Sequence, residues 1–284
     1  MNIPLVIYHA DCRDGFCAAW VCRQVLSDAE FHAAHYGTEP PDAAGRDVFV
    51  VDFSYPRAVM ERMAAEAGNL LVLDHHVTAQ EALAGLPFAR FDMNRSGAGM
   101  AWDHFFPRKK RPWIVDYVED RDLWRNSLPH THEANAWISC LSFDFKIWSR
   151  WAFGVGVEGA PAALADAIRA GEFVLAKTDR YVEAIGKNAR LVRFADLVVP
   201  CVNAPQFDIS ELLSGLAEKS PSGVALGWWQ RNDGMFQYSL RSRGVVDVSA
   251  LAKRYGGGGH RLAAGFQIPQ LLVLTLVELR EILP

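Results

Sequence analysis

Three short apolar runs near the start of the chain each end at ionisable side chains, and helical patterns separate them. The runs are residues 3–8, 48–51 and 70–73. They are followed by His9, Asp52 and Asp74. Because strands that alternate with helices build a parallel sheet, this pattern favours an α/β fold. The carboxyl ends of such strands meet at one edge of the sheet, where ligands gather, so a cluster of carboxylates and imidazoles is predicted there.

The most informative of these junctions is the segment NLLVLDHHVT at residues 69–78. A buried strand stops there at Asp74, His75 and His76, which an apolar core would not accept together. Burying a carboxylate beside two imidazoles is unfavourable unless something pairs with them, and a divalent metal ion is a suitable partner. The alternative is a strand end with solvated polar residues, and the polar ends of the other strands favour the metal.

Two further acidic positions allow both a structural and a functional interpretation. Asp14 stands at a strand-to-helix turn in HADCRDG, residues 9–15, where it could cap the helix or bind a metal. Asp120 and Asp122 come late in a helical pattern, where negative charge opposes the helix dipole. Neighbouring arginines or a metal ion would have to compensate for them.

Composition and charge exclude several classes of protein. The chain has 284 residues, a formal net charge of −4 and five cysteines without a CxxC pair. The charge argues against a broad cationic surface for duplex DNA, and the cysteines indicate neither a disulfide framework nor a zinc site. The apolar runs near both ends are too short for a signal peptide or a membrane span. A cytoplasmic protein without a membrane partner is therefore expected.

The second half of the chain predicts a different organisation. Residues 126–193 have a largely helical pattern, and strand-like runs with two helical stretches follow from residue 194. We expect a helical connector and then a second, smaller α/β domain. Four glycines at residues 256–259 precede His260. Such a run suits a close approach of the backbone to an anion, although a flexible hinge is the alternative.

Taken in order, these motifs resemble one known family. HADCRDG, VVDFS, LDHH and VEDRD, followed by LRS and GGGGHRLAAGF, are similar to motifs of the DHH phosphoesterases, which include RecJ exonuclease, short-oligoribonucleotide hydrolases and cyclic-dinucleotide phosphodiesterases. The resemblance covers nearly the whole chain. It implies a DHH catalytic domain with a mainly parallel sheet at residues 1–125, a helical extension at 126–193 and a DHH-associated substrate-binding domain at 194–284.

The resemblance also implies two manganese ions, with Mg²⁺ as the other candidate. Asp52 would bridge the ions, while His9 and Asp11 would complete the first site. Asp14, His75 and Asp120 would hold the second ion. Asp120 is preferred to Asp122 because its distance to Trp124 is similar to a spacing in the family. The first motif departs from the family, because Asp11 and Asp14 are three apart with Cys12 between them.

The remaining site residues follow from the same resemblance. His76 would face the scissile phosphate, so His76, Asp52 and His75 form the expected catalytic set. The expected substrate-binding residues in the second domain are Arg241, Gly257, Gly258, Gly259 and His260.

The sequence thus predicts a metal-dependent phosphoesterase. Two divalent ions can activate water and stabilise charge at phosphorus, and they let an acidic protein accept an anionic substrate. The expected substrates are short single-stranded oligonucleotides or small nucleotides, and a homodimer is compatible with the sequence. The alternatives are a polyphosphatase or pyrophosphatase-like hydrolase and a non-catalytic nucleotide-binding protein. A Rossmann-type oxidoreductase is disfavoured because no GxGxxG follows the first strand.

Overall fold

The structure, a computed structural model, describes residues 3–154, 159–206 and 209–277. The chain divides into two compact units, Met1–Leu175 and Ala176–Pro284. This division falls inside one long helix, whereas the sequence predicts boundaries at residues 125 and 193. Within the described ranges, no helix has both the length and the apolar character that crossing a bilayer requires.

The first unit is built on a five-stranded parallel sheet with the strand order β2-β1-β3-β4-β5. The strands are β1 (Leu5–His9), β2 (Glu30–Ala34), β3 (Asp47–Val51), β4 (Asn69–Asp74) and β5 (Ala89–Phe91). The chain runs outward from β1 in one direction to β2 and in the other to β3. Loops at the carboxyl ends of these strands therefore diverge between β1 and β3, which leaves a crevice for ligands.

Helices cover both faces of this sheet, as the sequence predicts. They are α1 (Arg13–Arg23), α2 (Arg57–Glu66), α3 (Val77–Ala82), α4 (Gly97–Phe105), α5 (Trp113–Asp122), α6 (Thr131–Ile138) and α7 (Phe145–Phe153). Helix α8 (Gly159–Gly186) continues into the second unit. The α/β class and the parallel sheet are thereby confirmed.

Alternate residues of each strand enter two separate cores, because successive side chains of a strand point to opposite faces. Val6, Val51 and Leu73 pack into the core that also contains Trp20 and helices α1, α4 and α5. Their neighbours in the strands pack into the opposite core with α2. Trp148 is fully buried in the first core. Burial on both faces fixes the register, and the register fixes where the strands end.

The second unit contains a seven-stranded sheet with the order β10-β11-β9-β8-β7-β6-β12. Its strands are β6 (Arg190–Phe194), β7 (Leu197–Asn203), β8 (Val224–Gln230), β9 (Phe236–Ser242), β10 (Gly258–Gly259), β11 (Ala263–Ile268) and β12 (Thr275–Leu276). Only the β7–β8 pair is parallel among the described pairings. Helices α9 (Ile209–Glu218) and α10 (Val248–Lys253) complete the second α/β unit that the sequence predicts.

Candidate metal centre

The predicted cluster lies at the carboxyl-terminal edge of the first sheet. Tyr8 is paired with Val51 and Val51 with Leu73, so the residues that follow them reach the same level. These residues are His9, Asp52 and Asp74. His75 and His76 come directly after β4. The register of the sheet therefore brings together side chains that are far apart in the sequence.

Asp52 lies at the centre of this arrangement. Its Oδ1 atom is 3.1 Å from His75 Nε2, and its Oδ2 atom is 3.5 Å from His9 Nδ1. The residue is 1% exposed and has a left-handed backbone with φ of 55°. A non-glycine residue in that conformation costs roughly 1–3 kcal/mol and is found preferentially at functional sites. The backbone turn directs the carboxylate between the two imidazoles.

Asp14 joins the cluster from the first turn of α1, and it supports a different helix from the one that contains it. Its Oδ2 atom accepts a hydrogen bond of 2.6 Å from the Gly97 amide, and its Oδ1 atom accepts one of 3.0 Å from the Ala98 amide. These amides begin α4. Asp14 Oδ2 also lies 3.6 Å from His75 Nε2. The carboxylate thus anchors α4 and reaches the cluster at the same time.

Two glycines make this approach possible. A Cβ atom at Gly97 would lie 2.4 Å from Asp52 Cβ, and one at Gly15 would lie 2.4 Å from the His9 carbonyl oxygen. A side chain at either position would push its helix, α4 or α1, away from the strand end that it contacts. Nothing in the pattern around Gly97 showed that Asp52 would pack against it.

The acidic residue that α5 contributes is Asp122, and the expectation for Asp120 is corrected. Asp122 Oδ2 lies 3.5 Å from His75 Nε2. Asp120 instead accepts hydrogen bonds from the backbone amides of Ser127 and Leu128 and from the hydroxyl groups of Ser127 and Thr131. Residues two apart on a helix are separated by about 200° around its axis, so only one of them can face the cluster.

The expectation for Asp11 is also corrected, because Cys12 occupies the position next to His9. Asp11 is exposed, with φ of 52°. Ligand atoms of His9, Cys12 and Asp52 all lie within 4.8 Å of one another. The extra residue in the first motif turns Asp11 outward and Cys12 inward.

The carboxylates outnumber the imidazoles at this site. We call it the Asp52 cluster, and its members are His9, Asp14, Asp52, His75 and Asp122. Burial raises the pKa of Asp14 well above its ordinary value, and the charges of Asp52 and Asp122 raise it further. Burial also raises the pKa of Asp122. Burial opposes ionisation of Asp52, but its interactions with the imidazoles of His75 and His9 outweigh burial and hold its pKa well below the usual range.

His75 carries positive charge at the centre of these acids. Burial would lower its pKa, but the hydrogen bond to Asp52 and the negative charges of Asp122 and Asp14 raise it to about 10. Three buried atoms of the cluster nevertheless have no hydrogen-bond partner among the described residues: His9 Nδ1, Asp52 Oδ2 and Asp122 Oδ2. Buried polar atoms are rarely left in this state. Carboxylates and imidazoles that lack donors fit a divalent cation, and the oxygen-rich set suits Mn²⁺ or Mg²⁺.

His76 is held beside the cluster by Asp74. The His76 Nδ1 atom is 2.7 Å from Asp74 Oδ1, and Ser54 donates a 2.6 Å hydrogen bond to the other carboxylate oxygen. Burial opposes the charged imidazole, but the hydrogen bond and charge of Asp74 raise the pKa of His76 to about 9. Asp74 therefore orients His76, a positioning role that the sequence had not distinguished from metal ligation.

The residues expected to bind substrate lie in the second unit. Arg241, in β9, donates hydrogen bonds to Ser210 Oγ and to the Leu240 carbonyl oxygen. His260 forms a tight turn with Ala263 before β11. Packing within the unit explains why glycine is required at positions 257 and 259. A Cβ atom at Gly257 would lie 2.1 Å from the Gly265 oxygen, and one at Gly259 would lie 2.6 Å from the Ala263 oxygen.

Comparisons with known proteins find a family match in the last third of the chain. Residues 196–283 match the DHHA1 domain. The uncharacterized protein R106 of Acanthamoeba polyphaga mimivirus is 28% identical over 293 residues, which cover 93% of this chain and 67% of that protein.

Solved structures with low sequence identity are similar over most of this chain. The pGpG-specific phosphodiesterase PggH of Vibrio cholerae is 15% identical, with a TM-score of 0.45 and coverage of 94% of this chain and 93% of that one. RecJ of Thermus thermophilus in complex with Mn²⁺ is 14% identical, with a TM-score of 0.49 and coverage of 93% and 49%. Residues 196–283 thus form a DHHA1 domain, and the parallel-sheet unit before it carries the motifs that resemble those of the DHH phosphoesterases.

Proposed function

We propose that this chain is a divalent-metal-dependent phosphoesterase that hydrolyses short single-stranded oligonucleotides or small nucleotides. One observation carries the proposal: three buried ligand atoms of the Asp52 cluster have no hydrogen-bond donor or acceptor among the described residues. Such atoms cost free energy unless a ligand pairs with them. The surrounding excess of carboxylates selects a cation as that ligand.

Two cation positions would share Asp52. His9 and Asp52 Oδ2 would form part of one position, where their ligand atoms are 3.5 Å apart. The other would use Asp14 and Asp122, together with His75, whose Nε2 atom lies 3.1–3.6 Å from three carboxylates. His75 would release its proton when it binds metal, because only the neutral imidazole is a ligand.

When bound, two Mn²⁺ or Mg²⁺ ions would supply Lewis-acid stabilisation of phosphoryl charge and activation of a water molecule. The chain itself would supply an oriented donor. Asp74 fixes the His76 ring by its Nδ1 atom, so the opposite edge of the ring presents Nε2. With a pKa of about 9, His76 would be cationic at neutral pH and would donate to a phosphoryl oxygen.

The substrate range follows from charge and from the second unit. The net charge of −4 argues against the broad cationic surface that long duplexes need, so short anions are favoured. Arg241 and His260 would bind a terminal phosphate, because guanidinium and imidazole groups suit phosphate oxygens. Gly257, Gly258 and Gly259 would let the backbone come close to that phosphate, although the Gly257 amide itself donates to the Ala252 carbonyl oxygen.

The test is hydrolysis of a defined panel by the purified chain with Mn²⁺, with Mg²⁺ and with a chelator. The panel contains 5′-phosphorylated di- to pentanucleotides, 3′-phosphoadenosine 5′-phosphate, cyclic and linear dinucleotides, single-stranded DNA and polyphosphate. We expect metal-dependent release of mononucleotides or phosphate from the short nucleotides. Preference for polyphosphate would support the polyphosphatase alternative instead. Tight nucleotide binding without turnover would support a non-catalytic protein and contradict the proposal.

A further inference from the structure

Cys12 differs from the other described cysteines near the first sheet in what it faces. Cys17 and Cys22 are fully buried and pack in the apolar core. Cys12 precedes the first residue of α1, and its side chain makes no capping hydrogen bond. Its sulfur atom instead lies within 4.8 Å of ligand atoms of His9 and Asp52. The thiol thus points into the polar cluster and is not used by the local fold.

The two neighbours of this thiol independently indicate a ligand. Asp52 Oδ2 and His9 Nδ1 lie 3.5 Å apart, and each lacks a hydrogen-bond partner among the described residues. Asp52 is 1% exposed, so water does not solvate its carboxylate freely. A single weak S–H donor cannot satisfy both a carboxylate and an imidazole. A cation between the three groups would satisfy all of them.

The ring of His9 is held in place for this role. Tyr36 packs edge-on against it at a centroid distance of 5.3 Å, and His76 does so at 5.8 Å. Phe53 packs against it in a tilted arrangement at 6.0 Å. Aromatic neighbours restrict the rotation of the imidazole, so its Nδ1 atom stays directed toward Asp52. A ligand set that is fixed before binding loses little conformational freedom when the cation enters.

We propose that Cys12 is a sulfur ligand at the cation position it shares with His9 and Asp52, and that this position favours thiophilic divalent cations such as Zn²⁺, Co²⁺ or Cd²⁺ over Mg²⁺. Thiolate ligands select softer cations, whereas carboxylates alone suit Mg²⁺ and Mn²⁺. On binding, the S–H bond breaks, its proton passes to solvent and the sulfur lone pair forms the bond to the metal. The inference rests on the proposed metal centre and names the preference of one of its two positions.

The test is titration of the metal-free full chain with Cd²⁺ or Co²⁺, followed by the thiolate-to-metal charge-transfer absorption. The wild-type chain should develop this band, and Cys12→Ser should lose it. The same variant should bind Cd²⁺ about 10- to 100-fold more weakly, or weaker still. That is the loss in affinity seen when a residue that supports a metal ligand is removed. Cys140→Ser, which removes an exposed thiol, is the matched control and should retain both the band and the affinity.

Three further measurements extend the test, and the first keeps it valid if Cys12→Ser misfolds. Cadmium NMR of the wild-type chain reads sulfur ligation directly and needs no variant. Proton release in a weakly buffered Cd²⁺ titration should be one proton greater for the wild type than for Cys12→Ser. Cys12→Asp should reverse the preference toward Mg²⁺ and Mn²⁺. A cadmium shift without sulfur ligation, or a band that persists in Cys12→Ser, would overturn the inference.

These outcomes are distinguishable from failure of the proposed function. A sulfur band in a chain that hydrolyses no substrate of the panel would support the cysteine ligand and contradict the phosphoesterase activity. Metal-dependent hydrolysis without any sulfur band in Cd²⁺ or Co²⁺ would do the opposite. Asp52→Asn should weaken the Cd²⁺ band whether or not the chain is an enzyme.

Discussion

Helix α5 contributes one aspartate to each of two acidic regions, and the regions differ in how many hydrogen bonds their carboxylates accept. Around Asp120, two backbone amides and two hydroxyl groups all donate hydrogen bonds to one carboxylate. In the Asp52 cluster, three carboxylates share two imidazoles, and Asp52 Oδ2 and Asp122 Oδ2 have no hydrogen-bond partner among the described residues. Asp120 and Asp122 are the same type of residue, so only their surroundings in the fold make them differ.

The two acids of α5 also differ in how their surroundings shift the pKa of each carboxyl group. Hydrogen bonds outweigh the burial of Asp120 and lower its pKa, so the protein stabilises that anion by itself. Burial and the charge of Asp52 raise the pKa of Asp122, and the nearby imidazoles only partly oppose this. A buried anion that the protein does not stabilise requires a charge from outside.

The largest effect is expected for Asp52→Asn. Turnover with Mn²⁺ should fall about 1,000-fold or more. Loss of a ligand shared by both ions should cost more than loss of a single hydrogen-bond donor to the transition state. The variant should still fold, since both cores remain intact. Steady-state kinetics and circular dichroism measure the two expectations. Asp28→Asn, which neutralises an exposed carboxylate, should keep full activity, and activity in Asp52→Asn would refute the shared role.

A smaller effect should separate the two acids of α5. Asp122→Asn should weaken Mn²⁺ binding by roughly 10- to 100-fold or more, comparable to other losses at metal sites. Asp120→Asn should leave the affinity nearly unchanged, because its carboxylate is turned toward residues 127–131. Isothermal titration calorimetry of each chelator-treated variant with Mn²⁺ measures both affinities. The reverse ranking would restore the sequence-based choice of Asp120.

Stability should change in the opposite order. Asp120→Asn should lower the free energy of unfolding by about 1–3 kcal/mol, because an amide leaves buried donors without their acceptor. In metal-free protein, Asp122→Asn should be neutral or stabilising, since it removes a buried charge near two other carboxylates. Urea denaturation in the presence of a chelator measures both. Equal destabilisation by the two substitutions would mean that the regions do not differ as described.

How far the sequence could predict this structure depends on the range of the interactions. The alternation of apolar runs and helical patterns predicted the parallel sheet and the placement of His9, Asp52 and His75 at one edge, because strand register transmits local pattern directly. The choice between Asp120 and Asp122 depends on the rotation of α5 about its axis. That rotation is set by packing against residues distant in sequence, so spacing alone could not determine it.

The exposed position of Asp11 and the contact of Gly97 with Asp52 escaped prediction for similar reasons. An extra residue in the first motif moved Cys12 inward, and a motif comparison that counts carboxylates does not register a cysteine as their replacement. Gly97 is required by Asp52, 45 positions earlier in the chain, through a contact that no local pattern encodes. Gly257 and Gly259 are a different case. The close contact of these glycines within the unit is with residues 263–266, and the approach of their backbone to an anion stays a prediction.

The smallest expected effect is the dependence of the unfolding free energy on pH. Asp120 has a lowered pKa in the folded chain, so its contribution to stability is present above its ordinary value of 3.8 and is lost as pH falls through the folded value. The difference in unfolding free energy between wild type and Asp120→Asn should therefore be constant near neutrality and shrink in acid. Asp122 has a raised pKa, so in metal-free protein its contribution is lost as pH rises above 3.8.

The stabilisation produced by Asp122→Asn should accordingly grow with pH until the folded carboxyl ionises. Chelator-treated wild type and both variants, unfolded in urea across the acidic range, provide the comparison, and Asp28→Asn is the control that should show neither trend. Added Mn²⁺ should reverse the sign for Asp122 alone, because a bound cation stabilises the ionised carboxylate. If Mn²⁺ changed the pH profile of Asp120→Asn relative to wild type instead, the hydrogen-bonded carboxylate would be the ligand and the distinction between the two regions would fail.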